Sequence, residues 1–244
     1  MRKLTLDSAE ALAGKTRIDL GIGMREPVNM KTVVRQLNIM TVYRPLSENL
    51  CGLSLKSADG NDRFMLVNSN STRGRQHFTM AHELFHLLYD DDFKPHFCGK
   101  EPSKDLTERS ADMFATALLM PKEGVMGCLS HEEITSDRVG IDTAIRLGQL
   151  YGVSHSTMVS RLRELKCISN ARAEELKAVS INHEAYMRGY DRSLYNKGNE
   201  GLVIGDFGAR ARKLYDMEKI SEGHYMELLN MINYGGEGED CTRR

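Results

Sequence analysis

The sequence predicts an α+β protein: a small antiparallel sheet packed on one apolar helix, followed by a mostly helical C-terminal half with a helix-turn-helix-like segment. Three observations predict it. Residues 39–68 hold three short β-rich runs, the last two separated by an Asp-Gly turn. Residues 78–89 are apolar nearly all round over a helical length. Beyond residue 105, apolar residues recur at helical spacing between Ser caps and Gly or Pro stops. Residues 1–135 are expected as the principal domain, 136–168 as the helix-turn-helix-like segment, and 169–244 as a helical region with a disordered tail.

Residues 1–27 are a weakly patterned lead, in which Ser8 to Ala13 suits a short helix and Gly21 and Gly23 loosen the chain. Asn29 to Leu37 reads as a helix with Val33, Val34 and Leu37 on one side. Ile39 to Tyr43, Cys51 to Leu55 and Phe64 to Asn68 read as strands, and Ala58-Asp59-Gly60-Asn61-Asp62 favours a hairpin between the last two. Such a sheet would floor the next helix, and its edge would accept an extended peptide by strand addition.

That next helix carries Phe78-Thr79-Met80-Ala81-His82-Glu83-Leu84-Phe85-His86-Leu87-Leu88-Tyr89. His82 and His86, four apart, project from one face with Glu83 beside them, the H-E-x-x-H arrangement of zinc proteases. Chance produces this pentapeptide in many proteins. Burial adds weight to it, because two histidines and a glutamate on a buried helix need partners, and one metal ion satisfies all three.

A third ligand is sought downstream. Glu108-Arg109-Ser110-Ala111-Asp112-Met113-Phe114-Ala115 opens a helix that Pro121 ends, so Glu108 and Asp112 share a face. Glu108 suits a metal ligand, and Asp112 suits the partner of a ligand histidine's second ring nitrogen. The plainer reading is a solvated acidic face. Asp92 is a weaker rival, since the pattern that uses it wants Gly where Tyr89 stands. His96 and Cys98 form a second metal-capable pair in the same loop. Arg73, Arg75 and His77 are read as preceding the H-E-x-x-H helix; Arg75, Tyr89 and His131 are candidate oxyanion or substrate contacts.

Arg75-x-x-Phe78-Thr79-x-Ala81-His82-Glu83-Leu84-x-His86, followed by Glu108-x-x-Ala111-Asp112-x-Phe114-Ala115-x-x-Leu118-Leu119-Met120-Pro121, resembles the ImmA/IrrE family of zinc metallopeptidases over about residues 28 to 166. The resemblance implies a thermolysin-like ligand set of His82, His86 and Glu108 with Glu83 catalytic. Phe85 departs from the family, which usually has Gly there, and puts the fit of substrate in question.

Residues 143–163 read as helix, Gly turn and Ser-capped helix, a helix-turn-helix pattern. Were it to read DNA, Ser156, Thr157, Ser160 and Arg161 would approach bases or phosphates. Its basic residues are sparse for that task, and the resemblance implies that this helical pair accompanies the peptidase motifs without needing to bind DNA. Tyr195 to Gly201 reads as a turn or linker, Phe207–Met217 and Ser221–Ile232 as helices, and the acidic, Gly-rich residues after 235 as disordered.

A net charge of -1 gives no general attraction to nucleic acid or anionic membranes. Five cysteines without a C-x-x-C pair suit a reduced, cytoplasmic setting. No signal peptide or membrane-spanning run is expected. The reading is a cytoplasmic endopeptidase using one Zn²⁺ per chain. The resemblance implies a specific protein substrate, a helix-turn-helix repressor or antitoxin whose cleavage switches on a mobile-element or stress-response operon. The alternative is a DNA-binding or repressor-sequestering regulator with a structural or vestigial zinc site.

Overall fold

The computed structural model describes residues 4–90, 97–99 and 105–233. Helix α1 (Leu6–Asp19) is longer than its weak apolar pattern suggests, because Thr5 and Ser8 form a reciprocal capping box at its start. Helix α2 (Met30–Gln36) follows, capped by the Asn29 side chain. Strands β1 (Ile39–Arg44), β2 (Leu50–Lys56) and β3 (Arg63–Asn68) come next, then the long helix α3 (Arg73–Tyr89). The short strand β4 (Phe97–Gly99) precedes helix α4 (Leu106–Leu119). Helices α5 (Lys122–Gly127), α6 (His131–Thr135), α7 (Ile141–Tyr151), α8 (His155–Glu164), α9 (Asn170–Lys177) and α10 (Ile181–Met187) lead to strand β5 (Val203–Ile204). Helices α11 (Phe207–Asp216) and α12 (Glu222–Asn233) complete the described chain.

The sheet order is β4-β2-β3-β1-β5. Three of its pairings are antiparallel as expected, and the β1–β3 pair is parallel. The exception arises because the chain leaving β1 passes over the end of β3 before the β2–β3 hairpin folds back. Asn68 pins that crossing: its amide donates to the Ser47 and Leu50 carbonyls and its oxygen accepts from the Leu46 N–H. Residues 195–201 are not a loose linker. They strap the sheet to the start of α3, with Arg73 N–H bonded to the Asn196 carbonyl and Gln76 to Gly198 and Asn199, before β5 joins β1.

Helix α3 lies on the sheet, α4 packs on α3, and α1 packs on α4. One buried cluster includes Val34, Met65, Leu84, Phe114, Ala144, Leu162 and Ile204, so the 136–168 segment shares the core of residues 1–135. Two buried arginines finish α4, whose last carbonyls lack helical partners. Arg17 donates to the Leu118 carbonyl and Arg161 to that of Met120. The α11–α12 pair is more exposed. Tyr215 and Tyr225 stack across it at 5.1 Å, while Leu228 and Leu229 are only half-buried. The tail beyond residue 233, expected to be disordered, lies outside the described residues.

Candidate metal centre

Helix α3 starts five residues before its apolar run because Thr72 caps it, accepting from the Arg75 N–H. Arg73, Arg75 and His77 therefore belong to its first turns instead of preceding it. Farther along, His82 and His86 are 2% and 1% exposed, and their Nε2 atoms are 3.3 Å apart. Glu108, in the first turn of α4, places Oε2 3.3 Å from His82 Nε2 and Oε1 3.2 Å from His86 Nε2. Ligands about 2.0–2.1 Å from a tetrahedral centre stand about 3.3–3.4 Å from one another, so these three donors fit a single cation.

Each imidazole is held from behind. His82 Nδ1 meets Asp112 Oδ1 at 2.9 Å, and His86 Nδ1 meets Asp90 Oδ2 at 3.4 Å. With Nδ1 donating, both Nε2 atoms would be free to present lone pairs to an ion held between them and Glu108. Burial opposes a charge on His82, yet its hydrogen bonds to Asp112 and Glu108 prevail and hold its pKa up at about 10. A metal ion bound at Nε2 would compete with that proton.

Glu83 is wholly buried; Ser54 Oγ donates to its Oε2 at 2.6 Å, and its Oε1 makes no hydrogen bond among the described residues. An unpaired carboxylate oxygen beside a cluster of metal donors is a costly arrangement that a water or ion would relieve. Cys98, on β4, also enters: its sulfur and ligand atoms of His82 and Glu108 lie within 4.8 Å of one another. A hydrogen bond with Cys51, then burial and the charge of Glu83, push the Cys98 thiol up. Asp92 and His96, the other rival ligands, lie outside the described residues.

A cleft of about 590 Å³ opens beside this cluster, lined in part by Arg75, Phe78, His82, Cys98 and Asp112. Arg75 thus lies on the cleft wall. Tyr89 does not: its hydroxyl bonds Thr16 at 2.8 Å and its ring packs on Phe85 and Phe114. His131 is exposed at the start of α6 and is not among the cleft residues. Phe85 is fully buried against Phe114, at 5.6 Å between ring centroids, so it fills the core behind α3 and leaves the cleft unnarrowed.

The helix-turn-helix-like pair also faces inward. Gly152 turns it with φ +66°, and Gly74 of α3 lets the turn approach so closely that a Cβ there would stand 2.8 Å from the Ser154 nitrogen. As a result Ser156, Thr157 and Ser160 line the cleft. Arg161 is 1% exposed, ion-paired with Glu10 and Glu164 and bonded to the Met120 carbonyl, which removes it as a phosphate contact. Sequence reasoning missed Asp90 and Ser54. Asp90 had a signal, its i, i+4 spacing from His86, whereas Ser54 reaches Glu83 only through packing of the sheet on α3.

A helix-borne pair of imidazoles closed by a carboxylate from the next helix, over a small sheet, puts the protein in the class of metallopeptidases. The family follows from the sequence. Residues 34–163, more than half of the chain, match the M78 peptidases, described as the IrrE N-terminal-like domain, and the chain belongs to that family. No curated protein matches the chain. No described helix is long and apolar enough to cross a membrane.

Proposed function

We propose that the protein is a zinc-dependent endopeptidase that cleaves one specific protein partner. The convergence of His82, His86 and Glu108 within 3.2–3.3 Å of one another supports it most directly. These three residues would hold the ion, with Asp112 and Asp90 orienting the imidazoles. When bound, zinc supplies Lewis acidity toward the scissile carbonyl and the attacking water. Glu83 takes the proton from that water through Oε1, since Ser54 already holds Oε2, and returns it to the leaving amine. Arg75, on the cleft wall beside the metal site, would contact the substrate. An extended peptide laid along the sheet edge would bring its backbone across the cleft.

The partner we favour is a helix-turn-helix repressor or antitoxin, whose cleavage would switch on a mobile-element or stress-response operon. This rests on the family resemblance carried by the two helical motifs. The reaction is tested with Glu83→Gln. Incubated with candidate regulators or with a whole proteome read by new N-termini, wild type cuts at a few sites. The variant, with equal bound metal, is slower by at least about a hundredfold. Cleavage unchanged in the variant would overturn the role of Glu83.

A further inference from the structure

We propose that Cys98 is an additional ligand of the metal, its sulfur taking the position that the attacking water needs, so that the chain folds into a latent form. This rests on the metallopeptidase reading and adds regulation to the same site. Three observations carry it. The Cys98 sulfur shares one 4.8 Å neighbourhood with donor atoms of His82 and Glu108. Thiolate is a favoured zinc ligand, and a site with four protein ligands is closed, whereas a catalytic site keeps one position open. Second, Glu83 is buried although a cleft opens beside the cluster: Cys98 is 8% exposed at the cleft lining, and Glu83 is 0% exposed. A general base must meet water, so an accessible Glu83 requires that something beside it move away.

The third observation is the way the sulfur is carried. Strand β4 has three residues on the edge of the sheet, paired with β2 at Leu50–Gly99, Gly52–Cys98 and Leu53–Phe97. The register shifts between Leu50 and Gly52, which re-aims Cys51 and brings its thiol to Cys98. So short an edge strand opens at lower cost than the central strands, and its displacement would withdraw the sulfur and free the position. The ligand is therefore removable without unfolding α3 or α4, which carry the other three donors.

Cobalt(II) substitution of the full chain tests this without reference to activity. Wild type loaded with one equivalent of Co²⁺ should show the intense near-ultraviolet absorption of a thiolate-to-cobalt charge transfer. Cys98→Ser should bind the same equivalent and lose that band, while Cys51→Ser keeps it. Bound cobalt without the band in wild type, or a band that survives Cys98→Ser, overturns the proposal and leaves the endopeptidase reading standing. Failure of every variant to bind cobalt overturns both. Should Cys98→Ser not fold, iodoacetamide labelling of wild type decides: metal should protect Cys98 from alkylation, and equal labelling with and without metal overturns the assignment.

Discussion

His155 and His77 show what a proton would undo away from the metal. His155 is buried, and its Nε2 lies 2.7 Å from the Leu176 carbonyl while Nδ1 has no partner among the described residues. His77 places Nδ1 3.0 Å from the Gly152 carbonyl and accepts from the Met30 N–H at Nε2, a pattern that only the neutral ring can make. Burial, the largest influence on each, holds both pKa values below the ordinary 6.5. Below that value the unfolded chain takes up protons that the folded state refuses, so the stability these rings contribute at neutral pH is lost on acidification. Urea unfolding between about pH 7.5 and 5.5 should show this fall, and a His77→Gln/His155→Gln variant should show a shallower one. An equal slope in the variant would assign the pH dependence elsewhere. At this same scale the clustering of His82, Glu83, His86, Glu108 and Asp112 was legible in the sequence, because they follow helical spacing on two helices. Cys98 was read only as half of a rival pair with His96, and Ser54 was not read as a site residue at all, since strand pairing and sheet packing bring them in.

Helix α8 has the sequence of a recognition helix and the placement of a cleft wall. Its Ser154 cap and the Gly152 turn are local features, so the helix and its boundaries could be read directly. Its direction could not, because that depends on the close approach of Gly74 and on Arg161 finding Glu10 some 150 positions away. Arg161 is expected to be structural. Arg161→Ala leaves Glu10 and Glu164 and the Met120 carbonyl without their partner and should cost roughly 3–5 kcal/mol in denaturant unfolding. Ser156→Ala, on the cleft side of the same helix, should stay within about 0.5 kcal/mol. A stable Arg161→Ala protein that has lost salt-dependent DNA binding would restore the recognition-helix reading.

Across the whole molecule, the α+β class and the order of its main elements were legible because hairpin, helix caps and apolar periods are short-range signals. The parallel β1–β3 pair, the 195–201 strap and strand β5 were not, because each depends on contacts far apart in sequence. Those long-range contacts anchor the elements beneath the centre: β5 closes the sheet edge beyond β1, and the strap fixes the start of α3, the helix that carries His82 and His86. The fold's central consequence is that α3 and α4 together bring two imidazoles and one carboxylate to a single point. Metal analysis of wild type and Glu108→Ala, purified without added metal, tests this most directly. Near-stoichiometric zinc in wild type that falls sharply in Glu108→Ala is the predicted result. Zinc absent from wild type, or retained in full by Glu108→Ala, would contradict the assignment of His82, His86 and Glu108 as the metal site.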